Sequence, residues 1–190
     1  MKRLAYIISR VFDPMIEIPI ILSVVVWFAL TNGLRFRFFI FLLIVDALIP
    51  AGYMVWGIIT KRVSDWDMTK RKERAGLYAV TVFCHAFGAL YAFFLGKYEL
   101  SYVLFLMWGL AAVFAVITLF WKISVHAGVN AVMVAYFNHY WGWHNYWWLV
   151  IVLVLVLWAR LEMKKHTFAQ LLVGTVLALV WVEVGLRYLG

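Results

Sequence analysis

The sequence predicts an all-α fold, a bundle of helices that cross a membrane several times. Of the 190 residues, 67% are hydrophobic and only 14% are charged, and the mean hydropathy of +0.94 is far above that of a water-soluble domain. The apolar residues form runs that are too long and too uniform for the alternating strands of a membrane barrel. One compact helical bundle is expected, with no room for a separate soluble domain of ordinary size.

Seven apolar runs are candidate membrane spans, because most approach the roughly 20 residues that are needed to cross hydrocarbon. They lie near residues 15–31, 36–60, 76–96, 100–121, 124–141, 144–160 and 167–188. The first run begins with Glu17 and Pro19, and the fifth contains Asn130 and Asn138, so six spans are the alternative. These runs make residues 15–190 a single transmembrane domain.

Residues 1–14 form a separate amphipathic segment ahead of the first run. Lys2, Arg3 and Arg10 are interspersed there with apolar side chains such as Leu4 and Ile7. This spacing is typical of a helix that lies along the membrane interface, and the segment is too short and too polar to span. It lacks a small-residue cleavage site, so a signal peptide is not expected.

The chain is basic, with a formal net charge of +8. In a membrane protein this charge indicates lipid headgroups and phosphate as partners, together with a topology signal, and no nucleic-acid partner is expected. The single cysteine, Cys84, excludes an intrachain disulfide. The sequence carries no signal for the oligomeric state.

Three polar loops follow the second, fourth and sixth runs, at residues 61–75, 121–127 and 159–170. With seven spans, all three loops emerge on the same side of the membrane. Most of the lysines and arginines lie on that side, so the positive-inside bias places it in the cytoplasm.

The second and third loops combine cations, a hydroxyl and two imidazoles. Lys122, Ser124 and His126 lie in the second loop, and Arg160 and His166 lie in the third. Guanidinium, ammonium and hydroxyl groups are the donors that hold a phosphate, and imidazoles attack and protonate phosphoesters. The pattern therefore predicts a phosphate site on a membrane protein.

The order and spacing of these residues resemble the type 2 phosphatidic acid phosphatase (PAP2) superfamily of membrane phosphatases and phosphotransferases. That family carries Lys-x6-Arg-Pro, then Pro-Ser-Gly-His, then Ser-Arg-x5-His-x3-Asp. Here the third motif reads Ala159-Arg160-x5-His166-x3-Gln170, and the second reads Ile123-Ser124-Val125-His126. The first motif is reduced to Arg74, with Asp67 at the position of the family lysine and Ala75 at that of the proline.

The resemblance implies an enzyme that removes phosphate from a lipid phosphate or an isoprenoid (di)phosphate, with no metal and no other cofactor. By this resemblance His166 attacks phosphorus to form a phosphohistidine, and His126 protonates the leaving alcohol. The phosphate-binding residues implied are Arg74, Ser124, Arg160 and Lys122.

Gln170 departs from the family, which has an aspartate that orients the nucleophilic histidine and stabilises its cation. A neutral amide can orient the ring but does not supply the charge. If residues 160–170 continue as one helix, Glu162 and Gln170 lie one turn before and one turn after His166 on the same face. Both are therefore predicted orienting residues, with Glu162, Asp65 or Asp67 as a replacement carboxylate.

Other functions stay open on the sequence. A noncatalytic lipid-phosphate binder or transporter is favoured by Gln170, and a lipid phosphotransferase is compatible with the same motifs. Asp65 and Asp67 resemble an Mg²⁺-binding pair, but the second acidic cluster that such sites need is not evident. Asp46 and His85 lie within apolar runs, where ionisable groups usually face the bundle interior. Each of the two residues has either a packing role or a role in a proton relay or in contact with a lipid headgroup.

Overall fold

The computed structural model describes residues 1–31 and 33–188. Within these residues every regular element is helical, which confirms the predicted all-α class. The α-helices of this part of the chain are α1 (Lys2–Val11), α2 (Pro14–Ala29), α3 (Gly33–Leu42), α4 (Ile49–Ile59), α5 (Arg74–Phe94), α6 (Tyr98–Phe120), α7 (Val125–Trp141), α8 (Trp143–Tyr146), α9 (Trp148–Glu162) and α10 (Phe168–Arg187). The predicted domain of residues 15–190 includes Asn32, Leu189 and Gly190, which lie outside the described residues.

Within the described residues, five helical stretches are long and apolar enough to cross a membrane. They are Lys2–Ala29, Gly33–Ile59, Arg71–Phe94, Tyr98–Phe120 and Phe168–Arg187. This is compatible with the predicted integral membrane protein. Helices α7 and α9, which cover the fifth and sixth predicted spans, have 17 and 15 residues. They extend about 26 and 23 Å, against a hydrocarbon core of about 30 Å, so the count of six or seven spans is not confirmed.

The chain divides into two compact units. The first unit contains Met1–Glu17 and the chain from Lys122 onward, and the second contains Ile18–Trp121. Helix α2 therefore contributes its first turn to the first unit and its remainder to the second. The polar residues of the second and third motif loops belong to the first unit, whereas the loop of residues 61–75 belongs to the second.

Helix α7 is the centre of the first unit. It packs against α9 and α10, and α1 packs against α9. Alanines at 127, 131 and 135 are fully buried on α7, and such small side chains allow helices to approach closely. Gly174 of α10 lies so near the start of α7 that a Cβ atom there would be 2.9 Å from the carbonyl oxygen of Ser124. A glycine at this position therefore permits the contact between α10 and the start of α7.

A carboxylate–imidazole pair with a buried carboxylate lies in the second unit. A π-helical segment, Leu43–Leu48, joins α3 to α4, with an i→i+5 hydrogen bond from the Ile49 N–H to the Ile44 carbonyl. This segment carries Asp46, whose Oδ1 lies 3.0 Å from Nδ1 of His85 on α5. Asp46 is only 2% exposed. It therefore faces the interior of its unit, as expected for an ionisable residue in an apolar run.

Candidate functional site

The start of α7 is formed by the second motif loop. Ser124 is the N-cap residue, and its buried Oγ accepts a hydrogen bond from the backbone N–H of Ala127 at 3.4 Å. Two residues earlier, Lys122 donates from Nζ to the carbonyl oxygen of Lys165 at 2.9 Å. This bond joins the loop before α7 to the residue that precedes His166. The structure therefore brings the second and third motif loops together, as the sequence predicts.

His126 lies in the first turn of α7 and is 9% exposed. Its Nε2 is buried and lies 3.6 Å from Oδ2 of Asp13. The side-chain amide of Asn130 donates to the His126 carbonyl at 2.9 Å and to Oε2 of the buried Glu17 at 2.8 Å. The first turn of α7 is thereby bound to the junction of α1 and α2.

Asp13 is a residue of this cluster that the sequence reasoning missed. Its Oδ1 accepts from the backbone N–H of Met15 at 3.0 Å, which caps the start of α2. Its Oδ2 accepts from Nη1 of Arg10 at 3.1 Å and faces His126. The dipeptide Asp13-Pro14 is a signal for a helix start, but nothing local indicates a contact with a histidine so distant in the chain.

Arg160 lies in the last turn of α9 and is 1% exposed. Its Nη1 donates to Oγ of Ser9 at 2.8 Å. A buried guanidinium requires hydrogen-bond acceptors, since desolvation without them is costly. Ser9 and Asp13 are four residues apart, so Arg160 and His126 both contact the same short stretch around the end of α1.

His166 contacts Gln170, the residue at the position of the family aspartate in the motif comparison. Nδ1 of His166 lies 3.2 Å from Oε1 of Gln170. The same Oε1 accepts from the backbone N–H of Thr167 at 3.1 Å, while Oγ1 of Thr167 accepts from the Gln170 N–H at 3.4 Å. These two bonds form a capping box at the start of α10. His166 is 7% exposed and therefore sits, nearly buried, beside a helix N-terminus.

The chain between Arg160 and Gln170 is not one helix, so the condition under which Glu162 would share a helix face with His166 is not met. Helix α9 ends at Glu162, and Lys164 adopts a φ of 54° before α10 begins. A left-handed residue ends a helix because it cannot continue the right-handed turn. Glu162 instead lines a surface pocket together with Lys2, Tyr6, Met163 and Lys164.

Arg74, the remnant of the first motif, lies at the start of α5 in the second unit and is 6% exposed. Its Nε donates to the Met68 carbonyl at 2.9 Å, and its Nη2 donates to the Asp67 carbonyl at 3.2 Å. The guanidinium therefore stabilises the loop that precedes α5. Its contact with phosphate stays a prediction.

Asp65 stabilises the same loop. Its Oδ1 accepts from the Asp67 N–H at 2.9 Å and from the Thr69 hydroxyl at 3.0 Å, and its Oδ2 accepts from the Thr69 N–H at 3.3 Å. These bonds are those of an Asx turn. In residues 1–31 and 33–188 no group of three or more His, Cys, Asp or Glu side chains is placed to hold a metal ion.

Comparisons with known proteins add no relative to this picture. No model of a protein family, no curated protein and no solved structure matches the chain. The resemblance to the type 2 phosphatidic acid phosphatases therefore depends on the motif residues themselves.

Proposed function

We propose that the chain is an integral-membrane lipid phosphatase of the type 2 phosphatidic acid phosphatase kind, with His166 as its nucleophile. Its substrate class is a lipid phosphate or an isoprenoid (di)phosphate. The observation that carries the proposal is the pair of hydrogen bonds to Oε1 of Gln170, from the Thr167 N–H and from the His166 ring. The amide N–H of Thr167 can only donate, so Oε1 is fixed as an acceptor. Nδ1 of His166 must then carry a proton, which leaves the lone pair on Nε2 for attack.

The other side chains proposed for the site suit a phosphate. Arg160 supplies a planar guanidinium, Lys122 an ammonium and Ser124 a hydroxyl at the N-terminus of α7, where helix amides also favour anions. The hydrogen bond from Lys122 to the carbonyl of Lys165 joins the loop before α7, which carries Lys122 and Ser124, to the residue that precedes His166. The cationic character of the cluster supports an anionic substrate.

The proposed reaction has two steps. In the first, Nε2 of His166 forms a bond to phosphorus, the bond from phosphorus to the ester oxygen breaks, and His126 gives a proton to the leaving oxygen. In the second, water attacks the phosphohistidine, His126 accepts a proton from that water, and phosphate leaves. His166 is regenerated with its lone pair on Nε2.

A noncatalytic lipid-phosphate binder or transporter is the second candidate. The observation in its favour is that an amide, not a carboxylate, contacts His166. An amide orients the ring without stabilising the cation that develops during attack. A lipid phosphotransferase would share the first step and use an alcohol in place of water in the second.

The proposal is tested by phosphate release from short-chain phosphatidate and from farnesyl diphosphate. The purified chain is assayed in detergent micelles with EDTA present, beside His166→Ala and the control His139→Ala, which changes an exposed histidine at the other end of α7. We expect release by the wild type and by His139→Ala, and a loss of at least about 10³-fold in His166→Ala, since no other nucleophile is proposed.

The intermediate is tested separately by quenching with alkali and looking for acid-labile phosphate on the chain. We expect it in the wild type and not in His166→Ala. Full release by His166→Ala, or binding of both substrates by the wild type without any release, would overturn the phosphatase. The latter result would establish the binder.

A further inference from the structure

We propose that Asp13 is the carboxylate that keeps His126 doubly protonated, so that His126 can serve as the general acid of the proposed reaction. This inference rests on the proposed function and adds a positioning residue from the N-terminal segment to the same site. Asp13 acts through His126 and not by contact with the substrate.

The side chains of Asp13 and His126 face each other. Oδ2 of Asp13 lies 3.6 Å from Nε2 of His126, and both side chains are nearly buried. An opposite charge at this distance favours the protonated imidazole, and more strongly where water is largely excluded. The carboxylate is itself held in place, because Oδ1 accepts from the Met15 N–H and Oδ2 accepts from Arg10.

The two ring nitrogens of His126 have different roles in the proposed reaction. Nε2 is buried and directed to Asp13. The proton that reaches a leaving alcohol is therefore the one on Nδ1, while the N–H at Nε2 faces the carboxylate at 3.6 Å. This division of the two N–H groups is the one by which a carboxylate supports a catalytic histidine in a triad.

Other charged groups lie on the elements around the start of α7. Glu17 contacts α7 through Asn130, Arg160 contacts α1 through Ser9, Lys122 binds the Lys165 carbonyl, and His166 begins the connection to α10. Arg10 opposes the effect of Asp13 in part, because it is a cation on the same carboxylate. A substitution at Asp13 alone changes none of these other residues.

Asp13 also has a structural role, which the choice of variant separates from its charge. Asparagine caps a helix about as well as aspartate, so Asp13→Asn keeps the cap on α2 and removes only the negative charge. Asp13→Ala removes both. The matched control is Glu99→Gln, which neutralises an exposed carboxylate in the first turn of α6.

The first readout is the dependence of turnover on the leaving group. An alkyl phosphate needs a proton on its leaving oxygen, whereas an activated aryl phosphate such as p-nitrophenyl phosphate needs it much less. We expect Asp13→Asn to lower phosphate release from short-chain phosphatidate by about tenfold or more, with a distinctly smaller loss on p-nitrophenyl phosphate. Equal losses on both substrates, or none on either, would overturn the inference while leaving the phosphatase in place.

The second readout does not require activity. In protein labelled with ¹⁵N at histidine, the ring shifts report whether both nitrogens carry protons, and His126→Gln assigns the signal by its loss. We expect His126 to be doubly protonated at neutral pH in the wild type and in Glu99→Gln, and singly protonated in Asp13→Asn. An unchanged His126 signal in Asp13→Asn refutes the role of Asp13, whether or not the chain releases phosphate.

Discussion

Gln170 supports both a helix and a histidine. Its Oε1 receives the N–H of Thr167 in the capping box and the Nδ1 proton of His166. An aspartate, which is one methylene shorter, is a poorer capping-box residue at this position than glutamine or glutamate. The difference between Gln170 and the aspartate of the motif that the sequence resembles is thus consistent with the way in which α10 begins. Oε1 of Gln170 can accept from His166 as a carboxylate oxygen would, but the amide carries no negative charge.

Gln170→Glu is expected to raise phosphate release by on the order of tenfold, because it keeps the capping box and adds a carboxylate to His166. The thermal midpoint should stay the same or rise slightly, since a negative charge in the first turn of a helix is favourable. Turnover on short-chain phosphatidate and thermal unfolding in detergent measure the two effects.

The control for this substitution is Gln170→Met, which keeps the length of the side chain and removes the acceptor. It should lower turnover and destabilise the protein by about 1 kcal/mol through loss of the cap. If Gln170→Glu and Gln170→Met lower turnover equally, the carboxylate has no value at this position and the proposed chemistry of His166 is wrong.

At the scale of elements, the candidate site is assembled from helix ends. The N-termini of α7 and α10, the C-terminus of α9 and the junction of α1 and α2 supply its side chains. Gly174 lets α10 approach the N-terminus of α7 closely, because the backbone of Ser124 occupies the space that a side chain at position 174 would need. Close packing of backbones at Gly174, together with the buried side chains of Ile123 and Leu171, holds this end of the unit together.

Gly174→Ala is expected to destabilise the protein by about 1–3 kcal/mol, because the new Cβ atom would lie 2.9 Å from a backbone carbonyl that cannot move freely. Phosphate release should fall as well, since the starts of α7 and α10 are pushed apart. Thermal unfolding and turnover on short-chain phosphatidate are the measurements.

Gly52→Ala is the matched control, because Gly52 lies within α4 and a Cβ atom there meets nothing within 4 Å. It should be neutral or stabilising by up to about 1 kcal/mol, as expected for alanine in a helix. Equal stability of the two variants would show that α10 tolerates a side chain at position 174.

Much of the helical pattern was predictable, whereas the helix ends were less so. Apolar runs predict helices in a membrane because the backbone has no other partner there. The interruption between α9 and α10 is expected from the polar loop between the sixth and seventh apolar runs, whereas the exact end of α9 has no local signal, because Lys164 is not a residue that usually adopts a positive φ. The Thr167-x-x-Gln170 capping box is a local signal for the start of α10.

At the scale of the whole molecule, the number of helices that cross the membrane depends on α7 and α9. Five stretches of the described chain are long enough by themselves, and α7 and α9 are shorter. Seven spans require both helices to cross, with the turn around His144 between them on the side opposite to the motif loops. Without that crossing, the same turn would remain at membrane depth.

Cysteine labelling in intact vesicles distinguishes these arrangements. In a Cys84→Ser background, Lys70→Cys and Lys164→Cys change two exposed residues of the motif loops, and Glu99→Cys and His144→Cys change two exposed residues elsewhere. We expect an impermeant maleimide to label the first two from the cytoplasmic side and the other two from the opposite side. Failure of His144→Cys to react from either side would contradict seven spans, and Glu99→Cys serves as the control for the opposite side.

The residues of the candidate site are predicted from the sequence, whereas their contacts are not. Residue types and spacing predict His126, Arg160 and His166, because a phosphate site needs particular chemical groups in a particular order. The contact of His126 with Asp13 depends on how α1 and α7 pack within their unit, and no local pattern encodes it. The segment expected to lie only on the membrane surface thus contributes a carboxylate beside the proposed general acid.

The π-helical turn at Leu43–Leu48 makes the second unit sensitive to the number of residues in it. Its wider ring accommodates one residue more than an α-helical turn would. Deleting a single residue there would restore a regular α-helix and leave the faces of α3 and α4 in register, because the wider turn is what accommodates the extra residue. The side chains within the turn would change position, so a one-residue deletion should break the contact of Asp46 with His85 while the packing of α3 and α4 is kept.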